Sequence, residues 1–159
     1  MLAEWLAGLE ATALARGLRG SVWAYPLVNA GHVAGVALLV GSIVPLDLRL
    51  LGAWRSIPLA PLWRVLTRTA GVGLALAVVC GALLFTTRAT EYAHSGLFVS
   101  KMIIVAVAAA NALALGALAP ADVSRTGAER APRLARASAA LSLVAWPAAL
   151  TLGRLVGYF

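Results

Sequence analysis

The chain has 159 residues, 62% of them hydrophobic and only 12% charged, with a mean hydropathy of +0.90. That composition excludes an ordinary soluble domain and points to an integral membrane protein forming one compact unit. The net charge of +7 comes from arginines set between apolar runs, where membrane proteins keep topology-setting charge, so no nucleic-acid partner is expected.

Residues 1–20, "MLAEWLAGLEATALARGLRG", have no basic segment ahead of a clean apolar core, so no cleavable signal peptide is expected. Leu2, Trp5, Leu6, Leu9 and Ala13 recur at helical spacing. The pattern predicts an amphipathic helix lying in the membrane interface.

Four apolar runs follow, at roughly 22–46, 62–86, 97–118 and 135–157. Each is long enough to cross about 30 Å of hydrocarbon as a helix. No period-2 pattern is present, and four spans cannot close a barrel. The loops are short, so sequential helices are antiparallel neighbours. The expected architecture is an all-α, four-transmembrane-helix up-down bundle over 21–159, preceded by the interfacial helix. The first run is expected to end near Pro45 and Asp47. In the second, Gly73, Ala77 and Gly81 make a small-residue face for close helix packing, in this chain or in a homodimer. Pro147 interrupts the fourth.

Eight cations (Arg49, Arg55, Arg64, Arg68, Arg125, Arg130, Arg133, Arg136) fall on one side and five (Arg16, Arg19, Arg88, Lys101, Arg154) on the other. The positive-inside rule then puts both termini outward, in the periplasm if the bilayer is a bacterial inner membrane.

The polar residues inside the runs carry the functional argument, because an ionisable group in lipid is costly. His32 lies about 15 Å into the first helix, too deep to snorkel. Asn29 is one turn away on the same face. Lys101 and Asn111 sit about 80° apart around the third helix and border one cleft in this reading. Arg154 ends the fourth helix on the side of Lys101, and Arg88 and His94 lie in the loop there. A mid-membrane imidazole beneath cations suits haem, whose iron takes a neutral imidazole and whose propionates take cations. His94 is a candidate second ligand. The alternative is polar glue, with His32 bonded to Asn111 or Ser142. Asp47 and Arg49 read as an ion pair or a headgroup contact. Cys80 is the one cysteine, which leaves no intrachain disulfide and no CxxC metal site.

The stretches "SVWAYPLVNAGHVAGVALLVGSIVPLDLRLLG" and "FVSKMIIVAVAAANAL" resemble a family of small bacterial four-span membrane proteins, a domain of unknown function. The lead "WLAGLEATALARGLRGSVWAYP" looks like that family's opening. "HVAGVALLVGSIVPLDLRLL" followed by "FVSK" resembles, more distantly, the membrane protoporphyrinogen oxidase of the HemJ type. The matching positions are His32, Gly35, Arg49, Leu50 and Lys101, with Asn111 where that family has a second histidine. That resemblance implies haem binding through the histidine and lysine.

Three functions follow as expectations. The first is a membrane haem-b or porphyrin protein in electron transfer, with His32 as axial ligand, Lys101 and Arg154 on propionates, and Asn29 or Asn111 orienting the imidazole. Its partner would be a quinone or a redox protein. The second is a porphyrin or quinone oxidoreductase using the same cleft. The third is a non-enzymatic accessory subunit of a larger membrane complex.

Overall fold

The structure, a computed structural model, describes residues 1–118 and 131–158. The N-terminal segment forms two helices, α1 (Leu2–Glu10) and α2 (Ala13–Gly20). The single expected interfacial helix is broken at Thr12. Its backbone is extended (ψ 151°), and its hydroxyl accepts the Ala15 N–H at 3.2 Å while donating to the Leu9 carbonyl at 2.7 Å. A threonine offering its oxygen to the next turn is a helix start, and it ends the helix before it. Leu6, Ala15 and Leu18 are buried, while Leu2, Trp5 and Leu14 stay exposed.

Four long helices follow: α3 (Ala24–Leu51), α4 (Leu59–Thr87), α6 (Gly96–Leu118) and α7 (Arg133–Leu155), with the short α5 (Ala89–His94) between α4 and α6. All four are long and apolar enough to cross a membrane, which makes this a multi-pass, all-α, four-span bundle. α3 runs past Pro45 and Asp47, where the sequence suggested its end. Proline removes only its own hydrogen bond to the preceding turn, and the helix carries on to Gly52. That glycine has φ +113°, a left-handed conformation, and its N–H bonds to the Leu48 carbonyl at 3.1 Å. Arg125 and Arg130, counted in the charge bias, lie outside the described residues.

The bundle is built as a row, α4–α3–α7–α6. α3 packs on α4, α7 on α6, and the two hairpins join through α3 and α7. Among the described residues no Cα of α6 comes within 8 Å of one in α3 or α4, and none of α7 within 8 Å of α4. α4 and α6 meet through side chains instead: Phe85 stacks on Phe98, and Ala70 and Ala108 belong to one core cluster.

The α3–α4 seam is a backbone contact. A Cβ on Gly35 would sit 2.5 Å from the Ala77 nitrogen and 2.8 Å from the Gly73 oxygen. A Cβ on Gly73 would sit 2.6 Å from the Leu39 nitrogen. Only glycine fits either position, so the small-residue face of α4 is spent on α3 and is not free for a dimer. The α3–α7 seam is filled by side chains. Trp146 packs with Leu39, Ile43, Ala70, Ala108 and Ala145, and Leu46 and Leu50 pack with Ala135 and Ala139.

Candidate functional site

His32 lies half-buried on the α3–α4 seam. Its Nδ1 is 2.8 Å from the Ala77 carbonyl oxygen. A carbonyl only accepts, so Nδ1 carries a proton and donates, which leaves Nε2 as the nitrogen available to a ligand. Gly81 makes room for the ring: a Cβ there would stand 3.0 Å from Cε1 and 3.2 Å from Nδ1. Backbone anchoring of one imidazole nitrogen is how ligating histidines are oriented, with the other nitrogen free. The same bond is also an interhelical tie. It goes to a backbone carbonyl, not to Asn111 or Ser142.

Asn29 is exposed, one turn toward the α5 end. Tyr25, a further turn up, is a neighbour of Tyr92 in α5. Tyr25, Asn29 and His32 thus form an i, i+4, i+7 line down one face of α3. The Tyr92 phenol is pushed above its ordinary range by burial first and then by Tyr25. Tyr92 also stacks on Phe98 at 5.2 Å, and Phe98 on Phe85 at 5.5 Å. Phe85 stands one turn beyond Gly81 on α4, so this aromatic cluster closes the α5 end of the face that carries His32.

Lys101 touches the same cluster from α6. Its ammonium lies 4.5 Å from the Phe98 ring centroid, a cation–π contact, and its stem runs beside Gly153. Arg154 is exposed on α7 and is held by the Tyr158 hydroxyl and ring. Phe98 is therefore the common neighbour linking Lys101 to the His32 side. Asn111 is elsewhere: its amide donates to the Ser138 carbonyl at 3.0 Å, on the α6–α7 seam. The structure records no contact joining it to His32.

His94 is exposed in α5, with Nδ1–H donating to the Thr90 carbonyl at 2.7 Å. It lines a cavity of about 730 Å³ together with Glu10, Arg88, Glu91 and Tyr92; His32 is not in that lining. The N-terminal helices build this end. Glu10 accepts the Thr90 N–H at 2.7 Å, and Arg19 donates to the Thr87 carbonyl at 2.8 Å. The Thr90 hydrogen bonds hold the Glu10 carboxyl below the usual glutamate range, with Arg19 adding a smaller pull.

Sequence reasoning missed the tyrosine pair, although the spacing of Tyr25 from His32 was the available signal. For Asp47 and Arg49 it offered an ion pair or a headgroup contact. No ion pair joins them: the Asp47 carboxyl lies beside Ser142 of α7, and Arg49 donates to the Ile57 carbonyl at 2.9 Å and the Arg55 carbonyl at 3.3 Å. Among the described residues no group of three or more His, Cys, Asp or Glu side chains is placed to hold a metal ion. A tetrapyrrole brings its own four nitrogens, so one imidazole meets its needs from the protein. No protein-family model, no curated protein and no solved structure matches the chain.

Proposed function

We propose that this multi-pass membrane protein binds haem b, or a related porphyrin, through His32 and serves electron transfer with a quinone or redox-protein partner. The observation that carries the reading is the Nδ1–H bond to the Ala77 carbonyl, which orients the ring and leaves Nε2 to serve as a ligand. Two further features support the group. Gly81 accommodates the imidazole against α4, and Lys101, on the neighbouring aromatic cluster, would supply a cation for a propionate. Arg154 is a second cation at the same end, and Asn29 is the polar neighbour that orients the site. When bound, haem supplies one-electron chemistry. The protein contributes the ligand, the apolar surround and the cationic end. The resemblance to the membrane protoporphyrinogen oxidases supports the same assignment of His32 and Lys101. With the arginine bias, the site lies in the outer half of a bacterial inner membrane with both termini periplasmic.

The same hydrogen bond favours one other reading, in which His32 is an interhelical tie in an accessory subunit. An absorption spectrum of detergent-purified protein from haem-replete cells, before and after dithionite, separates the two. The expected result is a Soret band that sharpens on reduction and is lost in His32→Ala but kept in His94→Ala. A colourless, folded native protein would sink the haem assignment.

A further inference from the structure

At the far end of the bundle from α5, three arginines from three segments meet around one small cavity. Arg49 comes from the last turn of α3, Arg55 from the α3–α4 loop, and Arg136 from the first turn of α7. The cavity measures about 60 Å³, and Leu50, Leu51, Gly52 and Ala131 complete its lining. We infer that it is a binding site for a single phosphate group, that of an anionic phospholipid or of free phosphate.

The cradle is preformed. Arg49 is only 4% exposed, and its guanidinium is fixed by the Ile57 and Arg55 carbonyls. A guanidinium has five N–H donors, so donors remain to face the cavity it lines. Arg55 is folded back over Gly52, its Nε donating to the Gly52 carbonyl at 3.2 Å. Glycine is required at Gly52 for its φ of +113°, and the Arg55 guanidinium packs over it. Among the described residues the lining contains no carboxylate, and Asp47, two residues before Arg49, lies toward Ser142 of α7. Clustered guanidiniums select an oxyanion, and their planar forks match phosphate oxygens in pairs. The cavity, about 60 Å³, has room for a phosphate group. The site sits where α3 ends and α7 begins, the level of lipid headgroups.

Two probes test it on full-length protein in detergent. One is retention of phosphatidylglycerol against phosphatidylcholine by native mass spectrometry. The other is titration with inorganic phosphate by calorimetry. Arg49→Gln also removes a loop anchor, so the principal variant is Arg55→Gln/Arg136→Gln, which changes exposed side chains only. The control is Arg64→Gln/Arg68→Gln, exposed arginines at the same end that do not line the cavity. Wild type and control are expected to bind alike, and the cavity variant about tenfold or more weakly, the scale of lost charge-assisted hydrogen bonds. Binding of inorganic phosphate assigns the site to the free anion, and retention of phosphatidylglycerol alone assigns it to the lipid. No binding by wild type in either assay, or an equal loss in cavity variant and control, overturns the site.

Discussion

α3 has two faces, and they are held by different physics. Toward α4 the backbones touch, glycine against glycine, and the one polar side chain on that seam reaches a carbonyl. Toward α7 bulky side chains keep the helices apart, and buried polar atoms there go without partners: Asp47 Oδ2 and the Trp146 indole N–H in the seam, and Ser138 Oγ a turn beyond. Close approach brings main-chain acceptors within reach of a side chain. Wide packing fills volume and leaves hydrogen-bond capacity unspent. The potential ligand, His32, stands on the seam that fixes geometry, and the unspent polar atoms stand on the seam that separates the hairpins.

The largest break in this comparison comes from the wide seam. Trp146→Ala empties the centre of the core and is expected to cost about 3–5 kcal/mol, seen as a collapse of the thermal midpoint in detergent. Trp146→Phe keeps most of the volume and removes the unpartnered N–H, so it should cost little or stabilise the protein.

On the close seam, Gly35→Ala places a methyl inside the α4 backbone. Overpacking costs about 1–3 kcal/mol or more, against about 1 kcal/mol returned by helix propensity. Gly41→Ala and Gly71→Ala, where a Cβ meets nothing within 4 Å, should be neutral or stabilising. A Gly35→Ala midpoint no lower than that of Gly41→Ala would show that the backbones are not in contact.

His32→Leu removes the interhelical hydrogen bond. Such bonds are worth about 0.6–2 kcal/mol in membranes, so the variant should fold with a modestly lowered midpoint. A loss well beyond that range would make the residue chiefly structural.

The smallest effect concerns α1. Glu10 is held ionised by the Thr90 N–H, which keeps its carboxyl below the ordinary glutamate range. Its contribution is therefore present above that ordinary value and is lost as pH falls through the lowered one. Protection of α1 and α5 amides, taken relative to their intrinsic exchange rates, should fall on acidification, while Glu10→Gln should show the lower protection already at neutral pH and no further loss. Unchanged exchange in the variant would show that the carboxylate does not anchor α1.

The spans were legible because run length against bilayer thickness is a one-dimensional measurement. Their ends were less so. Pro45 reads as a stop, yet in a helix that is otherwise fully bonded it removes a single donor. Thr12 splits the N-terminal helix by one hydroxyl that composition does not distinguish from a solvated one. His32 stood out as an ionisable group in lipid, but its partner is the carbonyl of Ala77, and a backbone acceptor has no residue identity to read. The small face of α4 was visible, and its occupant was not, since glycine in α3 looks the same whether it meets a helix or lipid. Asp47 sits two residues from Arg49, and proximity in sequence suggested a pair. Two residues along a helix point about 200° apart, and each found its partner on a different segment.

The α3–α7 seam sets a schedule for synthesis. α3 is the first long helix made, and Ser142, the partner of its carboxyl, follows about 95 residues later. At about 5–20 residues per second, that leaves the α3–α4 hairpin waiting on the order of 5–20 s. Its internal seam can close at once from contacts near in sequence, while Asp47 still lacks its α7 neighbour. The nascent chain thus carries a timed mark of incompleteness, erased only when the last span arrives.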